Sequence, residues 1–273
     1  MNKSKIEWCD YTWNPVTGCL HGCDYCYARR IAERFKAKSF AKYEHMYSRD
    51  CTHDLHVPKI EGNKVQPFPA GFQPTFHRYR LDEPLKLKKR SKIFVCSMAD
   101  LFGEWVPDEW IYEVMSACWN SGWNGTAEHK FLFLTKNPKR IKEWEQSMNI
   151  FLNSAARPNM WFGTTITGTN DFARVRELPE GTNNTFISIE PLLEPLPINE
   201  FAYYLYKNGE PFHREPRIYW VIVGAQTGPG SVPPKPEWVQ SIIDQCRVAG
   251  VPVFLKNNLN WPEKIQEFPD GLR

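Results

Sequence analysis

The sequence predicts an α/β fold built from βα units around a parallel sheet. Three observations lead there: short apolar runs recur from Lys92 onward, each is followed by a loop and an amphipathic stretch, and the connections are short enough for one barrel. The runs are Ile93–Ser97, Lys130–Thr135, Met160–Thr165, Thr185–Ile189, Tyr219–Gly224 and Pro252–Leu255, all rich in β-branched or aromatic residues. Between them the pattern predicts helices over Asp108–Ser121 behind Pro107, Pro138–Met148, Asp171–Leu178 and Pro236–Ala249, the last ending at Gly250 as its C′ residue.

Ahead of these units, Trp13–Thr17 reads as a strand leading into a cysteine-rich loop, and Tyr27–Lys38 as the helix after it. From Ser39 to Arg90 the pattern dissolves. Pro58, Pro67, Pro69, Pro74 and Pro84 interrupt any long element, so the segment reads as an irregular insertion after the first βα unit, covering one barrel face. A second irregular stretch, Gly209–Arg217, precedes the strand near Tyr219. No linker marks a domain boundary, and 273 residues fit a single domain spanning 1–273.

Composition excludes several classes. Hydrophobic residues at 42% and charged residues at 24% are globular values, which argues against disorder or a fibrous repeat. A net charge of +3 gives no whole-molecule case for a nucleic-acid partner. Met1–Asp10 lacks the apolar core of a secretory signal, and no apolar run is long enough to span a membrane, so a cytoplasmic protein without a membrane partner is expected. In that compartment eight cysteines point to metal or redox chemistry more than to disulfides.

The chemistry concentrates in Gly18-Cys19-Leu20-His21-Gly22-Cys23-Asp24-Tyr25-Cys26-Tyr27, where three thiols fall within eight residues. Gly18 and Gly22 allow a loop tight enough to turn Cys19, Cys23 and Cys26 inward, and thiolates are the ligands that iron–sulfur clusters select. Three ligands on a four-iron cluster leave one iron open to a small molecule. The competing reading is a closed zinc site completed by Cys9. Zinc sites, however, more often show two separated cysteine pairs than a compact triplet.

Cys19-x3-Cys23-x2-Cys26, with aromatic Tyr25 before the third cysteine, resembles the radical-SAM superfamily signature. Ile6-Glu7-Trp8, Thr12-Trp13-Asn14-Pro15-Val16-Thr17-Gly18-Cys19, Cys26-Tyr27-Ala28, Ser97-Met98-Ala99-Asp100-Leu101-Phe102, Ile189-Glu190-Pro191-Leu192 and Trp220-Val221-Ile222-Val223-Gly224 are similar, more narrowly, to an uncharacterised phage-associated and bacterial family. That resemblance implies a partial (βα)6-type TIM-like barrel, a [4Fe-4S] cluster on Cys19, Cys23 and Cys26, and S-adenosylmethionine (SAM). It implies that a reduced cluster passes one electron to SAM, releasing methionine and a 5′-deoxyadenosyl radical that takes hydrogen from a substrate, with an external donor such as flavodoxin or ferredoxin. Two positions depart from the family pattern. Gly224-Ala225-Gln226-Thr227-Gly228 stands where the pattern reads Gly-Gly-Glu-Ser-Gly, so no carboxylate role passes to Gln226, and Cys9 stands where threonine is usual.

Reactive groups in βα barrels gather at the carboxyl ends of strands. The resemblance places the SAM amino group near Ser97 and Asp100, with Tyr25 beside the cluster; as an alternative, Asp100 caps the turn before Leu101. Thr164 and Thr165 are candidates for ribose hydroxyls, and Gly224 for a close backbone approach to adenine. Glu190 is either a ligand for SAM or substrate or the partner of a lysine such as Lys136. Cys96, at a strand end, is a candidate hydrogen donor to a substrate radical, or simply buried. Cys118 and Cys246 read as core. Cys51, His53 and His56 offer ligands for a second metal but fit no strong template. Lys86–Lys92, with Arg78 and Arg80, is the stretch that would contact a nucleic-acid substrate in repair or modification, or a solvated face. The alternative to an enzyme is a zinc-stabilised nucleic-acid-binding or interaction module.

Overall fold

The computed structural model describes residues 1–38, 52–121, 127–149, 158–179, 184–196, 218–228 and 230–273. The chain is mixed α/β with mostly parallel strands, and no closed barrel is formed among the described residues. It divides into two compact units, Met1–Lys5 with Cys9–Phe131, and Ile6–Trp8 with Leu132–Arg273.

In the first unit Asn2–Lys3 pairs antiparallel with Tyr11–Trp13, which runs parallel to Lys92–Val95 with Trp13 opposite Val95. Trp13, fully buried, anchors this sheet, and its indole N–H donates to Arg80 O at 2.8 Å. The expected Trp13–Thr17 strand is split. Pro15 has no N–H for a ladder, and the chain leaves one sheet after Trp13 and enters another at Val16–Thr17. That second sheet, in the order Val16–Thr17, Thr75–His77, His53–Leu55, is built largely from the stretch read as irregular. Ile60–Glu61 and Lys64–Val65 form a separate two-stranded antiparallel hairpin, while 39–51 lie outside the described residues. The Asp108–Trp119 helix follows Pro107, carries Asp108 and Glu109 in its first turn, and buries Trp110, Ile111, Val114, Met115 and Cys118 along one face.

In the second unit Met160–Thr165, Thr185–Ile189, Val221–Val223 and Val253–Leu255 pair in parallel in that order. The first two occupy the range read from sequence, and each is buried along its whole length, as a strand covered on both faces must be. The helix Pro236–Ala249 also matches its expected limits, with Gly250 left-handed at φ 66°. It lays Val239, Ile242, Ile243 and Cys246 onto Ile187, Val221, Val253 and Leu255. Each such aliphatic side chain taken from water is worth roughly 1.5–3 kcal/mol. Trp8 packs with Phe186 and Trp220, ring centroids 6.4 and 6.3 Å away, which ties the Ile6–Trp8 segment to this core. The expected Asp171–Leu178 helix is shorter, a 3₁₀ turn at Thr169–Asp171 leading into Ala173–Arg176. Gly209–Arg217 lies outside the described residues.

Candidate metal centre

The cysteine loop is built by two glycines and held by backbone bonds to distant segments. Gly18, at φ 87°, donates its N–H to Met98 O (2.9 Å), and Cys19 N–H bonds Phe72 O (3.2 Å). A Cβ at Gly18 would lie 2.2 Å from Gln73 O, so only glycine passes here. Gly22, at φ 72°, makes the second reversal with nothing within 4 Å of its missing Cβ. Cys26 N–H returns to Cys23 O at 3.2 Å. Cys26 then caps the Tyr27–Arg34 helix, its Sγ accepting Arg29 N–H at 3.4 Å.

All three thiols are half-buried, and Cys19 and Cys26 rest on the apolar group Ala28, Ala32, Phe68, Phe72 and Met98. Burial pushes the Cys19 thiol up to about 12, Asp100 adds to the rise, and Cys26 and Cys23 contribute smaller increments against a lowering backbone hydrogen bond at His21. The three sulfurs therefore share one electrostatic neighbourhood, and bare thiolate at Cys19 needs a positive charge beside it. Three soft donors in a glycine-hinged loop on an apolar pad have the chemistry that an iron–sulfur cluster selects, and Cys19, Cys23 and Cys26 are the residues that would hold one. No three His, Cys, Asp or Glu side chains stand close enough to hold a single metal ion among the described residues.

The turn after the Lys92–Val95 strand lies against this loop. Asn14 Oδ1 accepts Ser97 Oγ–H (3.2 Å) and Met98 N–H (3.0 Å), and Tyr27 O–H donates to Ser97 O (2.7 Å). Asp100 is 5% exposed and serves twice, Oδ1 accepting Phe102 N–H (3.1 Å) and Oδ2 meeting His21 Nε2 (2.7 Å). The turn-capping alternative for Asp100 is thus realised, and the bond to His21 is added to it. His21 also meets Trp105 edge-on at 4.9 Å. Sequence reasoning gave His21 and Asn14 no role. The available signal was position, since each lies in a motif that also carries a singled-out residue. Tyr25 is half-buried in the loop just before Cys26.

Cys96 is 3% exposed in a left-handed conformation (φ 56°), with its N–H on Trp13 O at 2.8 Å. Burial pushes its thiol up to about 12 against a backbone hydrogen bond at Val16. Burial raises the Cys118 thiol well above its ordinary value, and Cys96 adds to the rise. Cys118 and Cys246 are core residues, both 0% exposed. Cys9 is buried and donates its Sγ–H to Ser4 Oγ at 3.2 Å. His53 sits half-buried in a strand and His56 is exposed, while Cys51 lies outside the described residues.

In the second unit the strand ends are internally satisfied. Thr164, fully buried, donates its hydroxyl to Thr135 O at 2.9 Å, and Thr165 O accepts from Arg174 Nη1 at 3.1 Å. Glu190 pairs with Lys256, where a lysine such as Lys136 had been expected, and its other oxygen accepts Ser188 Oγ–H at 3.2 Å. A Cβ at Gly224 would lie 2.6 Å from Glu190 Cγ and 3.0 Å from Lys256 Cδ, so this glycine makes room for the ion pair.

Of the basic residues, Arg78 is bound by Asp54, Glu109 and Glu113. Arg80 donates to Asn14 O and Pro67 O, Lys86 pairs with Asp82, and Lys92 with Asp10. Lys88, Lys89 and Arg90 are exposed.

Fold and site define a mixed α/β chain with a half-buried three-cysteine loop at the start of its first helix. Residues 3–268 match the family described as "Protein of unknown function (DUF5131)", and the chain belongs to it. No curated protein and no solved structure matches the chain. No helix among the described residues is long and apolar enough to cross a membrane.

Proposed function

We propose that the chain is a radical-SAM enzyme and that its strands form the open, partial (βα)6 version of a TIM-like barrel. The observation that carries this reading is the Cys19–Cys26 loop itself: three half-buried thiols, two hinge glycines and an apolar floor, with Asp100 beside them. The strand order of the second unit supports the barrel, since it advances monotonically where a doubly wound sheet reverses.

When bound, the cluster would supply one electron to the sulfonium of SAM, breaking its C5′–S bond to give methionine and a 5′-deoxyadenosyl radical that removes a hydrogen atom from substrate. The protein's own groups act around that event. Cys19, Cys23 and Cys26 would hold the metal centre. Asn14 and Tyr27 fix the Ser97–Asp100 turn, and His21 holds the Asp100 carboxylate beside the loop as a fixed negative group able to receive an ammonium. The apolar floor of Phe68, Phe72 and Met98 keeps water from one side of the loop.

Dithionite with SAM and the anaerobically reconstituted protein should give methionine and 5′-deoxyadenosine, and Cys23→Ala should give neither. Undiminished product from Cys23→Ala would overturn the reading. Zinc in place of iron on metal analysis would replace it with the metal-stabilised binding module. The nucleic-acid substrate rests on Lys88–Arg90, because the other basic residues of that stretch are engaged; filter binding of DNA or RNA that ignores salt would remove it.

A further inference from the structure

Residues 13–17 carry both halves of the candidate site. Asn14 holds the Ser97–Asp100 turn through its side chain, and Thr17 leads through Gly18 into Cys19. One short stretch of the insertion, residues 76–80, grips this segment residue by residue. Arg80 O accepts the Trp13 indole N–H (2.8 Å), and Arg80 Nη1 donates to Asn14 O (2.9 Å). His77 N–H donates to Pro15 O (2.7 Å), Val16 pairs with Phe76 across the ladder, and His77 Nε2 meets Thr17 Oγ1 (2.9 Å).

The grip is directional. Arg80 Nη2 donates to Tyr79 Oη (3.2 Å), which leaves the Tyr79 proton for His77 Nδ1 (3.1 Å) and the Nε2 proton for Thr17 Oγ1. The bonds thus run one way from Arg80 to Thr17 and select the Nε2–H tautomer. His77 is 0% exposed and Thr17 1% exposed, so neither has water to replace a lost partner. On its other side the stretch is tied down by Arg78, which lies over the Phe76 ring (4.7 Å) and pairs with Asp54, Glu109 and Glu113. Phe76 packs on Trp110 of the Asp108–Trp119 helix at 5.2 Å. Arg78 and Arg80, which the sequence offered to a nucleic acid, are both committed to holding this stretch in place.

We infer that His77 and Arg80 are positioning residues for the site: Arg80 acts through Asn14 on the Ser97–Asp100 turn, and His77 acts through Thr17 on the cysteine loop. The clamp itself rests on the hydrogen bonds, and its consequence for a cluster and SAM rests on the radical-SAM reading.

The first arm of the test uses the metal-free full chain and reads amide hydrogen exchange by mass spectrometry in peptides covering residues 14–19 and 97–100. Arg80→Met should speed exchange at 97–100 and His77→Leu at 14–19, each by about tenfold, the worth of one net hydrogen bond. Lys256→Met, in the second unit, should leave both at the wild-type rate. The second arm reads the electron paramagnetic resonance of the dithionite-reduced, reconstituted protein. Both clamp variants should bind iron. Arg80→Met should keep the wild-type g-values yet need about tenfold more SAM to move them, whereas His77→Leu should alter the g-values before SAM is added. Arg80→Lys and His77→Gln, each able to keep one bond, replace any variant that does not fold and should show the same effects at reduced size. Wild-type exchange in both peptides, or exchange raised equally across both units, overturns the clamp. Faster local exchange with unchanged spectra and SAM response reduces it to bracing and overturns the positioning role. If wild type gives no reduced-cluster signal but the two peptides exchange faster in the variants, the enzyme reading falls and the clamp stands.

Discussion

The cysteine loop of the first unit and the strand ends of the second both present polar groups at places where βα proteins keep their chemistry, yet they use them differently. At the strand ends Glu190 is neutralised by Lys256 and Ser188, and the Thr164 hydroxyl is spent on a backbone carbonyl. In the loop Cys19, Cys23 and Cys26 remain half-exposed, and Cys19 is destabilised as a thiolate by burial and by Asp100. Buried polar groups are normally satisfied, so internal satisfaction marks a structural role; a raised thiol by itself marks no ligand, since burial also pushes Cys96 and Cys246 up to about 12, and what sets the loop apart is three partly exposed thiols close together in sequence.

The largest break in this comparison should come from the sulfurs. Replacing any one of Cys19, Cys23 or Cys26 by alanine should remove the bound iron and sulfide, whereas Cys246→Ala should keep them and cost about 1 kcal/mol in denaturant unfolding. Next comes the loop's entry hinge. Gly18→Ala drives a Cβ to 2.2 Å from Gln73 O at a positive φ and should destabilise by about 3 kcal/mol, while Gly22→Ala meets open space and should cost about 1 kcal/mol. Urea midpoints of the two variants give that difference directly.

Lys256→Met should leave Glu190 without its counter-charge and lower stability by about 2 kcal/mol, with no change in iron content. A change in iron content would dissolve the distinction between the two regions. The last effect is absent at neutral pH and appears only in acid. Burial, then Arg80, pushes His77 down to about 2, and its ring bonds Thr17 Oγ1 and Tyr79 Oη. The unfolded chain protonates this histidine below about 6.5 while the folded chain does not, so its contribution is complete above that pH. Below it, each pH unit should remove up to about 1.4 kcal/mol. Thermal melts of His77→Gln should fall less steeply with acid than those of wild type.

Local pattern carried much of the fold. Met160–Thr165 and Pro236–Ala249 are legible because a buried apolar run, or a helix with Pro at its start and Gly at its end, is specified within the segment itself. The break at Asn14-Pro15 was missed because the partners of Tyr11–Trp13 and Val16–Thr17 come from different sheets, at Lys92–Val95 and Thr75–His77. Thr75–His77 also accounts for His53–Leu55, a short strand held by distant pairing rather than by periodicity, while Ile60–Glu61 and Lys64–Val65 pair only with each other and are too short to show a period. Within the site, the cysteines announce themselves by spacing. His21 does not, since its partner Asp100 is 79 positions away, and Glu190 finds Lys256 across 66 positions.

The central claim is that three thiolates hold a cluster with one iron open to SAM. The electron paramagnetic resonance spectrum of the dithionite-reduced, reconstituted protein, recorded with and without SAM, tests it most directly. A reduced-cluster signal whose g-values move when SAM is added is the expected result, and a protein with no such signal, or with one indifferent to SAM, would contradict the account.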